Sequence, residues 1–169
     1  MQVIKVVTPI TNEIISLLNV GDQISISGYI YTGRDAVLPK ILQLIEVNAL
    51  SKNNIDLQGS IIFHTAVSPA GVGPTSSNKL EIENSFKSLS EAGVKLHLGK
   101  GAIGKDTVIH LNATNSIYAV MPPVTALLQS KILKKKLVAF PELGMEAFYR
   151  LKVFEFPAII AAAHGKSLY

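Results

Sequence analysis

Residues 23–47 have the sequence QISISGYIYTGRDAVLPKILQLIEV, in which a strand pattern, a glycine-containing turn and a helix pattern follow one another. Residues 24–27 alternate isoleucine and serine, as the two faces of a half-buried strand do. From residue 34 or 35 to Val47 the apolar residues follow helical spacing, and Pro39 falls in the first turns, where a missing N–H is tolerated. A strand that passes through a short turn into a helix is the repeating unit of an α/β protein.

The same alternation of strand and helix patterns extends along the rest of the chain. Residues 147–163 are predicted to form a terminal hairpin of strands, and residues 68–75 a loop, because the latter are rich in glycine and proline. We expect a single domain over residues 1–169, in the α/β class. The remaining strands are predicted at residues 2–7, 60–67, 95–98, 116–120 and 137–139, and the remaining helices at residues 12–18, 82–92, 105–111 and 124–132.

The composition is apolar for a soluble protein of this length. Hydrophobic residues make up 48% of the 169 residues and charged residues 17%. Since about 25% charge is usual, part of the apolar surface is expected to meet a partner. The longest apolar stretches, such as residues 158–163, are far shorter than the roughly 20 residues that span a bilayer, and no basic segment precedes an apolar one at the N-terminus. We therefore expect a cytoplasmic protein with no membrane association.

The charge pattern is not that of a nucleic-acid-binding protein. The net charge of +4 is modest, and most basic residues are scattered along the sequence. Lys134, Lys135 and Lys136 form the only run, which we interpret as a solvated turn before a strand rather than as a nucleic-acid-binding patch. We expect no nucleic-acid partner.

The chain contains no cysteine. This excludes disulfides, thiolate catalysis, cysteine zinc sites and a cysteine-bound iron–sulfur cluster within the chain. None of the four histidines has a partner at the spacing of a helical metal site, so no metal site is predicted. His64, at the end of a predicted strand, is the strongest candidate for a functional histidine, and the alternative is a histidine bonded to the backbone.

Three glycine-containing loops carry a cation or a hydroxyl group beside a predicted strand. Glycine lets backbone N–H groups approach a ligand, and Arg or Lys supplies a countercharge, so these loops suit a carboxylate or a phosphate. Their spacing does not match a P-loop. They are residues 31–35 with Arg34, residues 71–79 with Thr75 and Lys79, and residues 99–101 with Lys100.

Each of these loops also has a purely structural interpretation. Arg34 would form a surface salt bridge with a nearby acid. Thr75, Ser76 and Ser77 would cap the helix that follows them, and Lys100 would be a turn residue. Spacing alone does not choose between these alternatives and a ligand-binding role.

Taken in order, these loops and several further motifs resemble the beta subunit, or C-terminal domain, of class I fumarases and L-tartrate dehydratases. The resemblance implies a swivelling β/β/α domain that closes over a cysteine-containing alpha subunit. It also implies that the alpha subunit holds a 4Fe-4S cluster, that this chain has no cofactor of its own, and that the active site lies between the two. The matching motifs are Gly21-Asp22, Ser27-Gly28, Thr32 to Ala36, Ser68-Pro69, Gly73 to Ser77, Gly99 to Gly101, Leu143 to Ala147, Phe156 to Ala158 and Gly165 to Tyr169.

The resemblance further implies roles for individual residues. Arg34 corresponds to a carboxylate-binding arginine, Lys100 to a catalytic lysine that faces the substrate, and Thr75 to a threonine proposed to move a proton beside the carboxylate. A threonine hydroxyl is a weak base, so Thr75 would need an ionised partner group, expected from the alpha subunit. Ser76 and Lys79 are assigned to substrate binding.

The chain departs from the family pattern at several positions. Lys79 stands where the family has a second arginine, which keeps the charge but loses the bidentate fork. Leu38 replaces a common histidine, Pro122 and Pro123 replace a glycine pair, and His64 stands in a strand end that is usually tyrosine-rich. These departures bear on the substrate rather than on the fold.

Two functions are consistent with these residues. The first is the small, substrate-binding and catalytic subunit of a heteromeric hydro-lyase, which adds or removes water on a small hydroxy-dicarboxylate such as malate or tartrate and is inactive alone. The second is a non-catalytic subunit on the same fold that binds a partner or an anionic metabolite for assembly or regulation. The two differ in whether Arg34, Lys79 and Lys100 converge on one surface.

Overall fold

The computed structural model describes residues 2–68, 71–75, 79–122 and 125–169. In these ranges the chain has the mixed strand and helix content expected of an α/β protein. That the domain swivels relative to a partner stays a prediction. The strands are β1 (Ile4–Val7), β2 (Gln23–Thr32), β3 (Ile61–Phe63), β4 (Thr65–Ser68), β5 (Gly71–Thr75), β6 (Leu96–Gly99), β7 (Ile117–Val120), β8 (Ile132–Ala139), β9 (Phe148–Ala163) and β10 (Lys166–Ser167). The helices are α1 (Asn12–Leu17), α2 (Leu38–Glu46), α3 (Lys79–Glu91), α4 (Lys105–Ala113) and α5 (Thr125–Ser130), with 3-10 turns at Ser51–Asn53 and Pro141–Glu146.

The main sheet closes on itself. Strands β1, β2, β3, β6 and β7 lie side by side in parallel, in that order. Strand β9 runs antiparallel to both β7 and β2, so β2, β3, β6, β7 and β9 form a closed circuit, which is a barrel, with β1 added beside β2. Strand β8 pairs with the first half of β9 and β10 with its last two residues, and β4 and β5 form a separate two-stranded ribbon.

The alternation along β2 divides its side chains between two hydrophobic cores. Ile26 and Ile30 belong to the core inside the barrel. Tyr31 faces outward and stacks on Phe148 with ring centroids 4.9 Å apart, and Ile41 of α2 is buried in the same outer core. Helices α3 and α4 bury a third apolar cluster against β7. The barrel is therefore filled inside and covered by helices outside.

The prediction of a loop at residues 68–75 was wrong for residue 68 and residues 71–75, whereas residues 69 and 70 lie outside the described residues. Residues 71–75 form β5, which pairs with β4 through Thr65 and Thr75 and through Val67 and Val72. Both valines are buried in the barrel core. A two-stranded ribbon has unpaired outer edges and therefore tolerates the glycine and proline residues that indicated a loop.

The prediction of a terminal hairpin at residues 147–163 was also wrong. These residues form one strand of 16 residues, whose partners change from β8 and β2 in its first half to β2 and β7 in its second. Glu155 has a φ of 52° beside a register shift between Ile26 and Gly28 of β2. A bulge of this kind bends a strand without ending it.

Lys134, Lys135 and Lys136 do not form a turn before a strand, because all three lie within β8. Their side chains are exposed. In the described part of the chain, β8 pairs with β9 alone and is thus an edge strand. Lysines on an edge strand oppose pairing with other chains.

Candidate functional site

The ends of β2, β3 and β6 lie at the same level of the barrel. Thr32 is paired with Phe63, and Phe63 with Leu98. Because these strands are parallel, the segments that follow them leave from one edge, which we call the carboxyl edge. Arg34 follows β2 and Lys100 follows β6, with β3 between them. Ligands of α/β sheets bind at the carboxyl ends of parallel strands, so this edge is the candidate site.

The backbone around Arg34 is held on both sides. The N–H of Gly33 donates to the carbonyl of Phe63 at 3.0 Å, and the carbonyl of Arg34 accepts from the N–H of Leu38 at 3.0 Å, which starts the turn into α2. A Cβ atom at Gly33 would lie 2.7 Å from a methyl carbon of Val37. Glycine is therefore required for this close approach of strand and turn.

Glu146 meets Arg34 because β2 and β9 are paired. Thr32 is opposite Tyr149, so the chains that continue past this pair bring residues 34 and 146 together. The Nε of Arg34 lies 2.8 Å from Oε1 and 2.7 Å from Oε2 of Glu146, and each side chain is 27% exposed. The structural alternative for Arg34 was a surface salt bridge with a nearby acid. The observed salt bridge is instead partly buried, and it joins residues that are distant in sequence. Arginine has five N–H donors in a planar fork, and the Nε–H that Glu146 engages is one of them.

Lys100 lies on the loop after β6, and its side chain is exposed. Tyr118 anchors this loop, because the Tyr118 hydroxyl donates a hydrogen bond to the carbonyl of Gly101 at 3.1 Å. Burial raises the pKa of Tyr118, with smaller contributions from Tyr169 and Glu83. The phenol therefore stays protonated and remains a hydrogen-bond donor that holds the loop of Lys100.

The side chains of His64, which follows β3, and His97, which lies in β6, are in contact, although their spacing in sequence did not connect them. The Nε2 of His64 lies 3.1 Å from Nδ1 of His97, and Nε2 of His97 lies 2.9 Å from Oγ of Ser90 on α3. The His64 side chain thus bonds to another histidine, not to the backbone as the sequence-based alternative held. Both rings are fully buried, and Phe86 stacks on His97 with centroids 4.2 Å apart.

This histidine network is neutral. Burial lowers the pKa of His64 to about 3. Burial, with a smaller contribution from His64, lowers the pKa of His97 well below its ordinary value. Neither ring carries a charge near pH 7, so the network joins β3, β6 and α3 rather than binding an ionic ligand.

Two buried polar atoms at the carboxyl edge have no hydrogen-bond partner in the described ranges. They are Oγ1 of Thr32, at the end of β2, and Nδ1 of His64, after β3. Both residues are 0% exposed. Buried polar atoms are normally paired with protein or with water, so this edge combines unsatisfied polar atoms with the cations Arg34 and Lys100.

The other predicted site residues lie on or next to the β4–β5 ribbon. Thr75 is the last residue of β5, opposite Thr65, which directly follows His64. Lys79 is the first residue of α3. Their backbone positions are described but their side chains are not, and Ser76 lies outside the described residues. The roles of Thr75, Ser76 and Lys79 stay predictions.

Two grooves in the described part of the chain are separate from these residues. One, of about 570 Å³, is mainly apolar and is lined by residues of β2, α5 and β9 together with Met121 and Pro122. The other, of about 490 Å³, lies between α3 and α4 and is lined by charged groups such as Glu83 and Lys105. Neither includes Arg34 or Lys100.

The described residues contain no group of three or more histidine, cysteine or acidic side chains that would hold a metal ion. Within the same residues, every helix is too short or too polar to cross a membrane.

Comparison with known proteins agrees with the resemblance seen in the motifs. The family model described as the fumarase C-terminus matches residues 1–169. The chain is 30% identical to the putative L(+)-tartrate dehydratase subunit beta of Methanocaldococcus jannaschii over 95% of this chain and 88% of that protein. It is also 30% identical to the L(+)-tartrate dehydratase subunit beta of Escherichia coli K12, over 95% of this chain and 84% of that protein.

A longer relative has the same similarity over a smaller part of its length. The chain is 29% identical to the putative class I fumarate hydratase of Geobacillus stearothermophilus over 99% of this chain. The match covers 34% of that protein. This chain therefore corresponds to about a third of the longer relative and to most of the two beta subunits.

Proposed function

Since this chain belongs to the fumarase C-terminus family, we propose that it is the substrate-binding and catalytic subunit of a heteromeric hydro-lyase. The complex adds water to, or removes it from, a small hydroxy-dicarboxylate. Fumarate with malate is one substrate pair, and L(+)-tartrate is the other. The names of the relatives support this reaction class, because they are tartrate dehydratase beta subunits and class I fumarate hydratases.

The observation that carries the proposal is the pair of cations at the carboxyl edge. Arg34 and Lys100 follow strands that flank β3. Two strand spacings are on the order of 10 Å, which is the reach of a four-carbon dicarboxylate with a hydrogen bond at each end. Charge-assisted hydrogen bonds from Arg and Lys are the usual means of holding carboxylates.

The remaining roles follow the family resemblance. Arg34, Lys79 and Ser76 bind the substrate, Lys100 faces the reacting carbons, and the Thr75 hydroxyl moves a proton with the help of an ionised group. The closeness of Thr75 to Thr65 in the ribbon supports its place beside the same edge.

A 4Fe-4S cluster does not fit this chain. Such clusters are held by cysteine thiolates, and the sequence has no cysteine. We therefore assign the cluster to a cysteine-containing alpha subunit, while this chain contributes side chains that bind the substrate and move a proton. Its place is the cytoplasm.

The second candidate is a non-catalytic subunit that keeps the fold for assembly or for binding an anionic metabolite. The ion pair between Arg34 and Glu146 favours it, because a carboxylate from the same chain already lies against the guanidinium. Under this alternative the pair is structural, and removing Arg34 leaves the activity of the complex unchanged.

The test is anaerobic co-expression of this chain with its cysteine-containing partner, followed by hydration and dehydration assays with fumarate, mesaconate and L(+)-tartrate. We expect turnover of at least one of these by the complex and its loss in an Arg34→Ala complex of equal stoichiometry. A complex that forms and turns over none of the three contradicts the proposed reaction class. An Arg34→Ala complex with normal kinetics favours the non-catalytic alternative.

A further inference from the structure

We propose that Glu146 is a positioning residue that orients the Arg34 guanidinium for the substrate carboxylate. This inference rests on the proposed function, since it assigns a second residue to the same site. Glu146 does not touch the substrate in this proposal and acts through Arg34.

The geometry of the contact is the first support. Both oxygens of Glu146 lie within 2.8 Å of a single nitrogen, the Nε of Arg34. Nε is the inner nitrogen of the fork, and the two terminal amino groups carry the other four N–H donors. A carboxylate fixed at Nε sets the rotation of the planar guanidinium, and a bidentate grip on a second carboxylate depends on that rotation.

The second support is that Glu146 is itself held in place. It ends a 3-10 turn in which Gly144 has a φ of 60° and its carbonyl accepts from the N–H of Ala147 at 3.0 Å and from the hydroxyl of Tyr149 at 3.3 Å. Tyr149 is in turn paired with Thr32, two residues before the arginine. Arg34 lies two residues after Thr32 and Glu146 three residues before Tyr149, so the register of β2 and β9 brings the two segments together.

The third support is the partial burial of the pair. Each side chain is 27% exposed, so water does not fully screen the contact. Around the pair, both backbones are engaged, through Leu38 for Arg34 and through Gly144 for the turn of Glu146. A residue on an open surface would gain little orientation from such a contact, whereas here the arginine is constrained from its backbone to its Nε.

The experiment compares four variants of the reconstituted complex, with fumarate and L(+)-tartrate as probes. Glu146→Ala removes the acceptor, and Glu146→Gln keeps an acceptor oxygen without the charge. Arg34→Ala removes the partner. Glu142→Ala is the matched control, because Glu142 is an exposed acid in the same turn. Thermal unfolding of each purified chain is measured alongside kcat and KM.

Positioning predicts a split between the two kinetic constants. Glu146→Ala raises KM about tenfold and changes kcat by less than about threefold, because the misoriented arginine weakens substrate binding. Glu146→Gln restores KM to within about threefold of the wild-type value, since its amide oxygen still accepts from Nε. Glu142→Ala matches the wild type in both constants.

Four outcomes overturn the inference. If Arg34→Ala raises KM and Glu146→Ala does not, Glu146 has no positioning role and the proposed function stands. If Glu146→Gln is as impaired as Glu146→Ala, or if Glu146→Ala lowers kcat together with the unfolding temperature, the residue does not position Arg34 through a hydrogen bond. If Arg34→Ala is itself normal, the proposed substrate role of Arg34 fails, and this inference fails with it.

Discussion

Arg34 of the Arg34–Glu146 pair follows β2, and His64 of the network with His97 and Ser90 follows the neighbouring strand β3, yet the electrostatic states of the pair and the network are opposite. The pair is charged and each member is 27% exposed. The histidine network is fully buried at both rings and neutral. Burying a charge without a partner is costly, so a buried histidine loses its proton, whereas a partly exposed arginine with a carboxylate keeps its charge.

This difference separates the parts of the edge that can bind an anion from the parts that hold the fold. An anionic substrate needs a cation that is reachable and already charged, and Arg34 satisfies both conditions. The histidines would have to be protonated in an apolar setting beside Phe86. We therefore propose that Arg34 binds the anion and that the histidines support β3, β6 and α3.

Arg34→Ala is expected to have the largest effect on activity and a small effect on folding. A lost charge-assisted hydrogen bond to a carboxylate is worth about 1.5 to 3 kcal/mol, so kcat/KM of the complex should fall on the order of tenfold to a hundredfold. A partly exposed salt bridge contributes about 1 kcal/mol or less to stability. Steady-state kinetics and thermal unfolding measure the two effects. An unchanged kcat/KM beside a lowered unfolding temperature would reverse the assignment.

Ser90→Ala is expected to show the opposite pattern. The substitution leaves Nε2 of His97 buried without its partner at 2.9 Å, which should lower the free energy of unfolding by about 1 to 3 kcal/mol. The KM of the complex should not change. Ser88→Ala, on the same helix and with its side chain only partly buried, is the matched control and should be near neutral. Denaturant unfolding decides the matter, and a Ser90→Ala chain as stable as the control would show that the network does not support the fold.

The pH dependence of stability is a finer test of the neutral network. A histidine in the unfolded chain has a pKa of 6.5, and burial lowers that of His64 to about 3 in the folded chain. Between these values the unfolded state binds more protons than the folded state, so the free energy of unfolding falls as the pH is lowered from 6.5. The effect fades as the pH rises above 6.5, because the unfolded histidine then becomes neutral as well.

A triple variant, His64→Leu, His97→Leu and Ser90→Ala, isolates this effect because it replaces all three partners with apolar groups. It should lose most of the decline in stability between pH 6.5 and about 5, a window that lies above the usual carboxylate pKa range. Urea unfolding at several pH values measures the slope. An equal slope in the wild type and the triple variant would contradict the neutral assignment.

Much of the fold was predictable from the sequence, because hydrophobic period is a local property. The strand and the helix of residues 23–47 appear as β2 and α2 with small shifts at their ends. The ribbon at residues 71–75 was missed because pairing with β4 and burial of Val72 outweigh its loop-forming composition. The length of β9 was missed because it depends on pairing with β2 and β7, which are distant in sequence.

Of the candidate site, too, one part was predictable from the sequence and another was not. The motifs indicated Arg34 and Lys100, and both follow parallel strands at one edge. Glu146 lies 112 residues from Arg34, and only the register of β2 and β9 brings them together. The clue to this contact in the sequence was Glu146 itself, an acidic residue within the motif at residues 143–147, because a partly buried arginine needs a carboxylate partner. His64 and His97, 33 residues apart, were likewise joined by the pairing of β3 with β6.

The most direct test of the central claim is a titration of the proposed cysteine-containing partner, purified, with this chain under anaerobic conditions. The rate of fumarate hydration or L(+)-tartrate dehydration is measured at each ratio. The account predicts no activity from either chain alone, no visible cluster absorption from this chain, and a rate that rises to a plateau at a fixed stoichiometry. A partner that turns over substrate equally well without this chain would contradict the claim that this chain supplies the substrate-binding cations.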